Sequence, residues 1–259
     1  MNYINIGAHK FSKAVCGSNA FYGRSHFSLA RDAEYRGRFD EENIIKAIEC
    51  CMKWGINTIE TSANEKIKSI ITSLKNKHQC TLHCVGSTRV DETSSMNNHH
   101  QKLDFLIQHQ TTICVIHSQY MDQPMKDDKI PGLEQMLDKI HEAGLLTAIS
   151  THQVKTVEWC ENKGYSIDVY LFPLNLMGFV FPGYEGAESV KERVNLVRGI
   201  SKPFILMKTL GAGRIPPDEG LHFVAENSKP NDFITIGFGS EAEIDETINI
   251  FMKYFVDNQ

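Results

Sequence analysis

The sequence predicts an α/β fold, a closed (β/α)8 TIM barrel with an N-terminal β-hairpin. Three observations carry that expectation. Strand-like and helix-like segments alternate strictly along the chain, the pattern of a parallel sheet covered by helices. The strand-like runs end in order on Glu60, Arg89, His117, Ser150 and Asn175, where a parallel barrel gathers its chemistry. The chain has 259 residues, close to the roughly 250 that one such barrel needs.

Each element has a local reason. Residues 3–22 read as a short β-hairpin with Gly7 and Ala8 at its turn, running into an apolar strand at 14–17. The polar stretch 24–38 has many charges and little periodicity, and is expected to be a loop. Asp40 is placed to cap a helix whose first turn is acidic, and Ile44, Ile45, Ile48, Cys51 and Met52 form its apolar stripe. Gly55 ends it, and Ile56 to Glu60 form the next strand. Helix 64–76 leads to strand 81–88, helix 97–109 to strand 111–117, and helix 131–143, ended by Gly144, to strand 145–150. Helix 153–163, ended by Gly164, leads to strand 167–173, helix 187–200 to strand 203–208, and helix 217–226 to strand 232–237. A last helix spans 241–255. No repeat, low-complexity tract or linker divides the chain, so residues 1–259 read as a single domain.

Composition narrows the function classes. Hydrophobic content is 41% and charged content 23%, ordinary for a chain with a full core. A net charge of −5 offers no field for nucleic acid or an acidic membrane. No signal-like segment or membrane-length apolar run is present, and seven cysteines without regular spacing fit a reducing compartment. A soluble cytoplasmic protein is expected. No CxxC, HxxxH or HExxH spacing occurs, so no metal centre is predicted. Cys16 is the one thiol expected to face the barrel mouth.

The strongest chemical candidate is His117, in Thr112-Ile113-Cys114-Val115-Ile116-His117-Ser118, a buried-strand pattern that ends on an imidazole with Asp122 just beyond. An acid at the end of an apolar strand is either paired or functional. Glu60 fits that rule, and Arg89 is expected to neutralise it across the mouth and hold it ionised. Met207-Lys208-Thr209-Leu210-Gly211-Ala212-Gly213-Arg214 and Ile236-Gly237-Phe238-Gly239-Ser240 follow the last two strands. Glycine loops there suit a phosphate, because backbone N–H groups can approach an anion. The apolar loop Met177-Gly178-Phe179-Val180-Phe181-Pro182-Gly183-Tyr184 fits a pocket cover or a subunit contact in a homo-oligomer.

Taken together, the chain resembles the aldo-keto reductase superfamily nearly end to end. Gly55-Ile56-Asn57-Thr58-Ile59-Glu60-Thr61-Ser62, Thr88-Arg89-Val90, Ile116-His117-Ser118, Ile149-Ser150-Thr151-His152, Met207 to Arg214 and Gly237 to Ser240 follow in the family's order. The resemblance implies NAD or NADP bound without a Rossmann domain, and reduction of a small carbonyl substrate. Cofactor positions implied in this chain are Ser150, Asn175, Lys208, Leu210, Gly211, Gly213, Arg214, Gly237 and Ser240. Of the family's Asp, Tyr, Lys and His tetrad only the histidine is kept, as His117. Glu60 stands for the acid, Arg89 for the lysine, and the tyrosine position falls at Asn64 or a neighbour. Tyr22 and Tyr120 are the substitute phenols in reach of the mouth by sequence. Leu171 and Met207 stand where the ring-binding glutamine and aromatic residue are usual, and Glu241 and Glu243 flank Ser240 where a 2′-phosphate wants a cation. Three readings follow. One is an atypical nicotinamide-dependent reductase. Another is a non-redox lyase, dehydratase or isomerase using His117, Glu60 and Arg89. The third is a catalytically silent binding protein.

Overall fold

The computed structural model describes residues 1–90, 97–123, 128–179 and 188–256. Strands β1 (Tyr3–Ile6) and β2 (His9–Ser12) form the antiparallel hairpin, with Ile4 opposite Phe11. Eight parallel strands close a barrel: β3 (Ala14–Gly17), β4 (Thr58–Ser62), β5 (His83–Ser87), β6 (Ile113–Ile116), β7 (Leu146–Ser150), β8 (Val169–Pro173), β9 (Phe204–Met207) and β10 (Phe233–Gly237). The ring shuts where β10 pairs with β3 in parallel, from Ile234 opposite Ala14 to Gly237 opposite Gly17.

Helices connect the strands: α1 (Leu29–Arg38), α2 (Glu41–Lys53), α3 (Glu65–His78), α4 (Asn97–Gln108), α5 (Ser118–Met121), α6 (Leu133–Glu142), α7 (Val154–Lys163), α8 (Val190–Gly199), α9 (Pro217–Asn227) and α10 (Glu241–Phe255). The predicted cap of α2 is present, and of the predicted stripe Ile44, Ile48 and Cys51 are buried while Ile45 and Met52 are only half-buried. Asp40 accepts from the Asn43 amide, and Ile44, Ala47, Ile48, Cys50 and Cys51 are buried. In α3 the buried stripe is Ile67, Ile70, Ile71 and Leu74, each contributing about 1.5–3 kcal/mol of transfer free energy. Among the described residues no helix is long and apolar enough to cross a membrane.

Strand periodicity sorts the core into two layers. Ile59, Cys84, Cys114, Ile149, Tyr170, Phe204 and Ile234 pack outward against the helices. Their neighbours Val15, Val85, Ile113, Val115, Ala148, Val169, Leu171, Ile205 and Phe233 fill the barrel interior, together with Ile4 and Phe11 of the hairpin. The hairpin is therefore a plug under the strand N-termini. Phe11 lies 4.4 Å from the His83 ring and 5.8 Å from Phe233.

Two expectations are corrected. Residues 24–38 are not all loop, because Leu29–Arg38 is a helix. It escapes a periodicity test because none of its residues is buried. Polar contacts hold it instead: Ser28 caps the Arg31 amide, and Glu34 pairs with Arg38 at 2.7 Å and Arg31 at 3.4 Å. Arg38 also donates to the Gly239 carbonyl at 2.6 Å. Cys16 does not face the mouth. It sits in the outer layer against Cys51 of α2, one residue out of phase with the inward Val15 and Gly17.

Candidate functional site

The inward register that fills the barrel with Val15, Val85, Val115, Ala148 and Ile205 continues two residues further along each strand. It brings Gly17, Ser87, His117, Ser150 and Met207 to the C-terminal rim, with Glu60 from β4 beside them. There a cavity of about 710 Å³ opens, lined by these residues and by Arg89, His152, Lys208, Arg214 and Gly237 among others.

His117 ends β6 and starts α5. Its Nδ1 accepts from the Gln119 amide at 3.2 Å. Burial, with help from the Arg89 charge, holds the imidazole well below its ordinary value, so the ring is neutral. A neutral ring with Nδ1 accepting carries its proton on Nε2. His117 therefore offers the cavity an N–H donor and not a cation. The Gln119 side chain grips both backbone groups of Val90, at 3.2 Å each, and so ties the Arg89 loop to the His117 turn.

Glu60 differs from expectation in its charge. Arg89 pulls its pKa down, but burial among the rim side chains pushes harder, and the carboxyl is raised from 4.5 to about 7. It is a proton-exchanging group near neutral pH, not a permanently ionised one. Asn64 is consumed in capping α3, where it accepts from the Ile67 amide at 3.1 Å.

A second polar row, missed as a unit by the sequence reading, reaches the same cavity through His152 and Lys208. Asp122 follows α5 and accepts from the Thr151 hydroxyl, the His152 amide and His152 Nδ1, the last at 2.8 Å. With Nδ1 donating, His152 Nε2 is the acceptor and meets Lys208 Nζ at 3.0 Å. Burial lowers the Lys208 pKa from 10.5 to about 7, with Asp122 opposing. Phe179 covers the pair, 5.2 Å from the His152 ring and 4.8 Å from the Lys208 nitrogen. Fully buried Arg193 of α8 supports the row from behind, donating to the His152 carbonyl and to Glu188, both at 2.9 Å. The three residues lie 30 and 56 positions apart in sequence, and only closure of the barrel brings them together. Asp122 beside His117, and His152 just past a strand end, were the available signals.

The remaining sequence candidates divide. Ser150, Lys208, Leu210, Gly213, Arg214 and Gly237 line the cavity with His117, Glu60 and Arg89. Arg214 also ties the glycine loop to the first loop, donating to the His26 carbonyl at 3.1 Å. Tyr22 is placed elsewhere: its hydroxyl bonds Thr61 Oγ1 at 2.6 Å, on the outward phase of β4, and burial raises it to about 12. Tyr120 is also turned away, donating to the Pro131 carbonyl. Asn175 does not line the cavity but donates to the Lys208 carbonyl at 3.0 Å. Gly211 and Ser240 also stand outside the lining, Ser240 as the cap of α10. Of the apolar loop 177–184, residues 180–184 lie outside the described residues. Among the described residues no three His, Cys, Asp or Glu side chains are grouped to hold a metal.

No family model matches the chain, and no curated protein matches it in sequence. Solved structures do match. A glycerol dehydrogenase from Gluconobacter oxydans aligns with a TM-score of 0.63 at 11% identity, over 99% of this chain and 97% of that one. An aldo-keto reductase from Bacillus halodurans aligns at 0.65 and 10% identity, over 96% and 89%. An N-acetylmannosamine-6-phosphate 2-epimerase from Clostridium perfringens aligns at 0.52 and 12% identity, over 83% and 86%. At these identities the likeness establishes the barrel and its strand order.

Proposed function

We propose that this protein is an aldo-keto-reductase-like oxidoreductase that reduces a small carbonyl compound with a nicotinamide cofactor. The observation that carries the reading is the neutral His117, whose Nε2–H is presented to a cavity at the barrel mouth. Such a donor stabilises the negative charge that develops on a carbonyl oxygen as its carbon is attacked. Glu60, with a pKa of about 7, exchanges protons with the site. Arg89 supplies a fixed positive charge for an anionic substituent. The full-length likeness to two dehydrogenase or reductase barrels supports the same class.

The residues present fit a dinucleotide in its non-phosphorylated form. Gly213 and Gly237 line the cavity with open space where a Cβ would stand. Arg214 flanks that cradle with positive charge, and Lys208 lines the cavity with it. Beyond it, Glu243 and Glu246 line the cavity, and Glu243 already accepts from the Gly239 amide at 2.8 Å. Carboxylates accept hydrogen bonds from ribose hydroxyls and repel a 2′-phosphate, so the cradle suits NAD(H) better than NADP(H). When bound, the nicotinamide supplies the hydride for the carbonyl carbon.

The test is titration with NADH and NADPH by fluorescence, followed by NADH oxidation with a panel of small aldehydes and ketones. NADH is expected to bind at least tenfold tighter than NADPH. His117→Ala is expected to lower kcat about 10²–10³-fold, the usual cost of losing one such donor. If neither nucleotide binds, the reading fails. Proton exchange at Glu60 in the same cavity as a neutral imidazole also fits an isomerase without redox chemistry, and carbonyl turnover without nucleotide would select that second reading.

A further inference from the structure

Lys208 sits at the end of β9 with a backbone φ of +58°, a conformation that side-chain-bearing residues rarely adopt. Two hydrogen bonds to its carbonyl hold it there, from Asn175 Nδ2 at 3.0 Å and from the Gly211 amide at 2.9 Å. The chain thus accepts a strained residue in order to turn this amine into the cavity. Nζ then meets His152 Nε2, and His152 is fixed in its tautomer by Asp122. A nucleophile on a base that is itself oriented by a carboxylate is the general arrangement of nucleophilic catalysis.

We infer that Lys208 is a nucleophilic amine that forms an imine with a small aldehyde or ketone in this cavity, with His152 as its base and Asp122 orienting His152. This activity goes beyond the reductase reading, because it needs no nucleotide. The amine lone pair forms a C–N bond to the carbonyl carbon, and the C=O π pair moves to oxygen, which takes a proton. The amine proton passes to His152 Nε2 and returns to the carbinolamine hydroxyl, which leaves as water. The product is the protonated imine. Starting from the neutral amine, one carbonyl compound and one proton are consumed and one water is released, with no electrons exchanged; hydrolysis runs the same steps backward.

Electrostatics agree with the geometry. The charged or titratable groups acting on Lys208 are Asp122 from beyond α5, Arg89 from beyond β5, Arg193 from α8, and His152 and His26 from their loops. With burial they leave a substantial share of the amine neutral at pH 7, where an ordinary lysine is neutral to less than about one part in a thousand.

The experiment is reductive trapping on the full-length protein without nucleotide. Wild type is treated at pH 7 with low-millimolar glycolaldehyde and sodium cyanoborohydride, and adducts are located by intact mass and peptide mapping. The Lys208 peptide is expected to label at least about tenfold faster than the median of the other lysines. His152→Asn is expected to slow labelling of Lys208 tenfold or more while leaving the other lysines unchanged, and Lys208→Arg to abolish that adduct. Labelling of Lys208 no faster than the median overturns the proposal, and so does an unchanged rate in a folded His152→Asn protein. Nucleotide binding plays no part in the trapping, so this result stands or falls separately from the reductase assay.

Discussion

Replacing Glu60 by Gln tests the electrostatics of the rim without touching its packing. Gln matches the shape of the protonated acid and does not titrate. In the folded protein the Glu60 carboxyl has its pKa raised from 4.5 to about 7. Below about pH 4.5 the folded and unfolded chains both carry the acid protonated, and the stabilisation is fully present. As pH rises from 4.5 to 7, the unfolded chain releases a proton that the folded one retains. Stability then falls by about 1.4 kcal/mol per pH unit. Above pH 7 the loss levels off at about 3 kcal/mol, a ceiling that water in the cavity reduces. Arg89 is already counted, because its attraction has lowered the carboxyl's pKa.

The assay is urea unfolding of wild type and Glu60→Gln at pH 4.5 and pH 8. The two proteins should agree within about 0.5 kcal/mol at pH 4.5, and the variant should be more stable by about 2–3 kcal/mol at pH 8. His117, His152 and Lys208 titrate in both proteins, with pKa values that burial lowers, and to first order they cancel in the difference. A gap that does not change with pH, or a variant less stable at pH 8, would refute the claim that burial outweighs Arg89 at this carboxyl.

Three further outcomes follow from the fold. Asp232 is fully buried, pairs with Lys229 at 2.9 Å and accepts from the Phe204 amide at 2.9 Å; Asp232→Ala should cost about 3–5 kcal/mol, read as a fall in urea midpoint. A Cβ on Gly86 would stand 2.5 Å from both Leu106 Cδ2 and Thr111 Cγ2, so Gly86→Ala should destabilise by about 1–3 kcal/mol in the same measurement. Ser28→Ala removes the cap of α1 and should cost that helix about 1 kcal/mol. Because no residue of α1 is buried, hydrogen exchange should quicken across 29–38 while the global unfolding midpoint barely moves.

The barrel was legible because its signal is redundant. Eight strand–helix units repeat one pattern, and a boundary error of two or three residues in any of them leaves the count intact. The helix ends at Gly144 and Gly164 were readable for the same local reason, since both adopt the left-handed conformation that glycine favours (φ +69° each). Helix α1 was not legible, because caps and charge pairs stabilise it and neither leaves a hydrophobic period. At the site, strand-end position found His117, Glu60 and Arg89, but sequence could not supply their protonation. The expected ionised Glu60 fails because its burial, which only the folded rim sets, outweighs the pull of Arg89. Lys208 was read only as part of a glycine loop, Asp122 only as a neighbour of His117 and His152 only within a strand-end run, and closure of the barrel is what joins them in one row.

The two layers of the barrel separate the residues that hold the fold from those that line the site. Closure depends on the inward residues below the rim, such as Val85, Val115, Ala148 and Ile205, and on the outward layer against the helices. One further inward step reaches the rim, where strand phase aims Glu60, Ser87, His117 and Ser150 at the axis. Side chains at those positions can change without disturbing a single ladder. The penalties stay local: a carboxyl raised to about 7, and a lysine strained at φ +58°. A barrel matched at about 10% identity therefore constrains where chemistry happens but not which chemistry. What narrows it is the placement of protons, fixed on Nε2 of His117 by Gln119 and shared along Asp122, His152 and Lys208. Under the two proposals these arrangements would act on opposite ends of one carbonyl, His117 on its oxygen and Lys208 on its carbon.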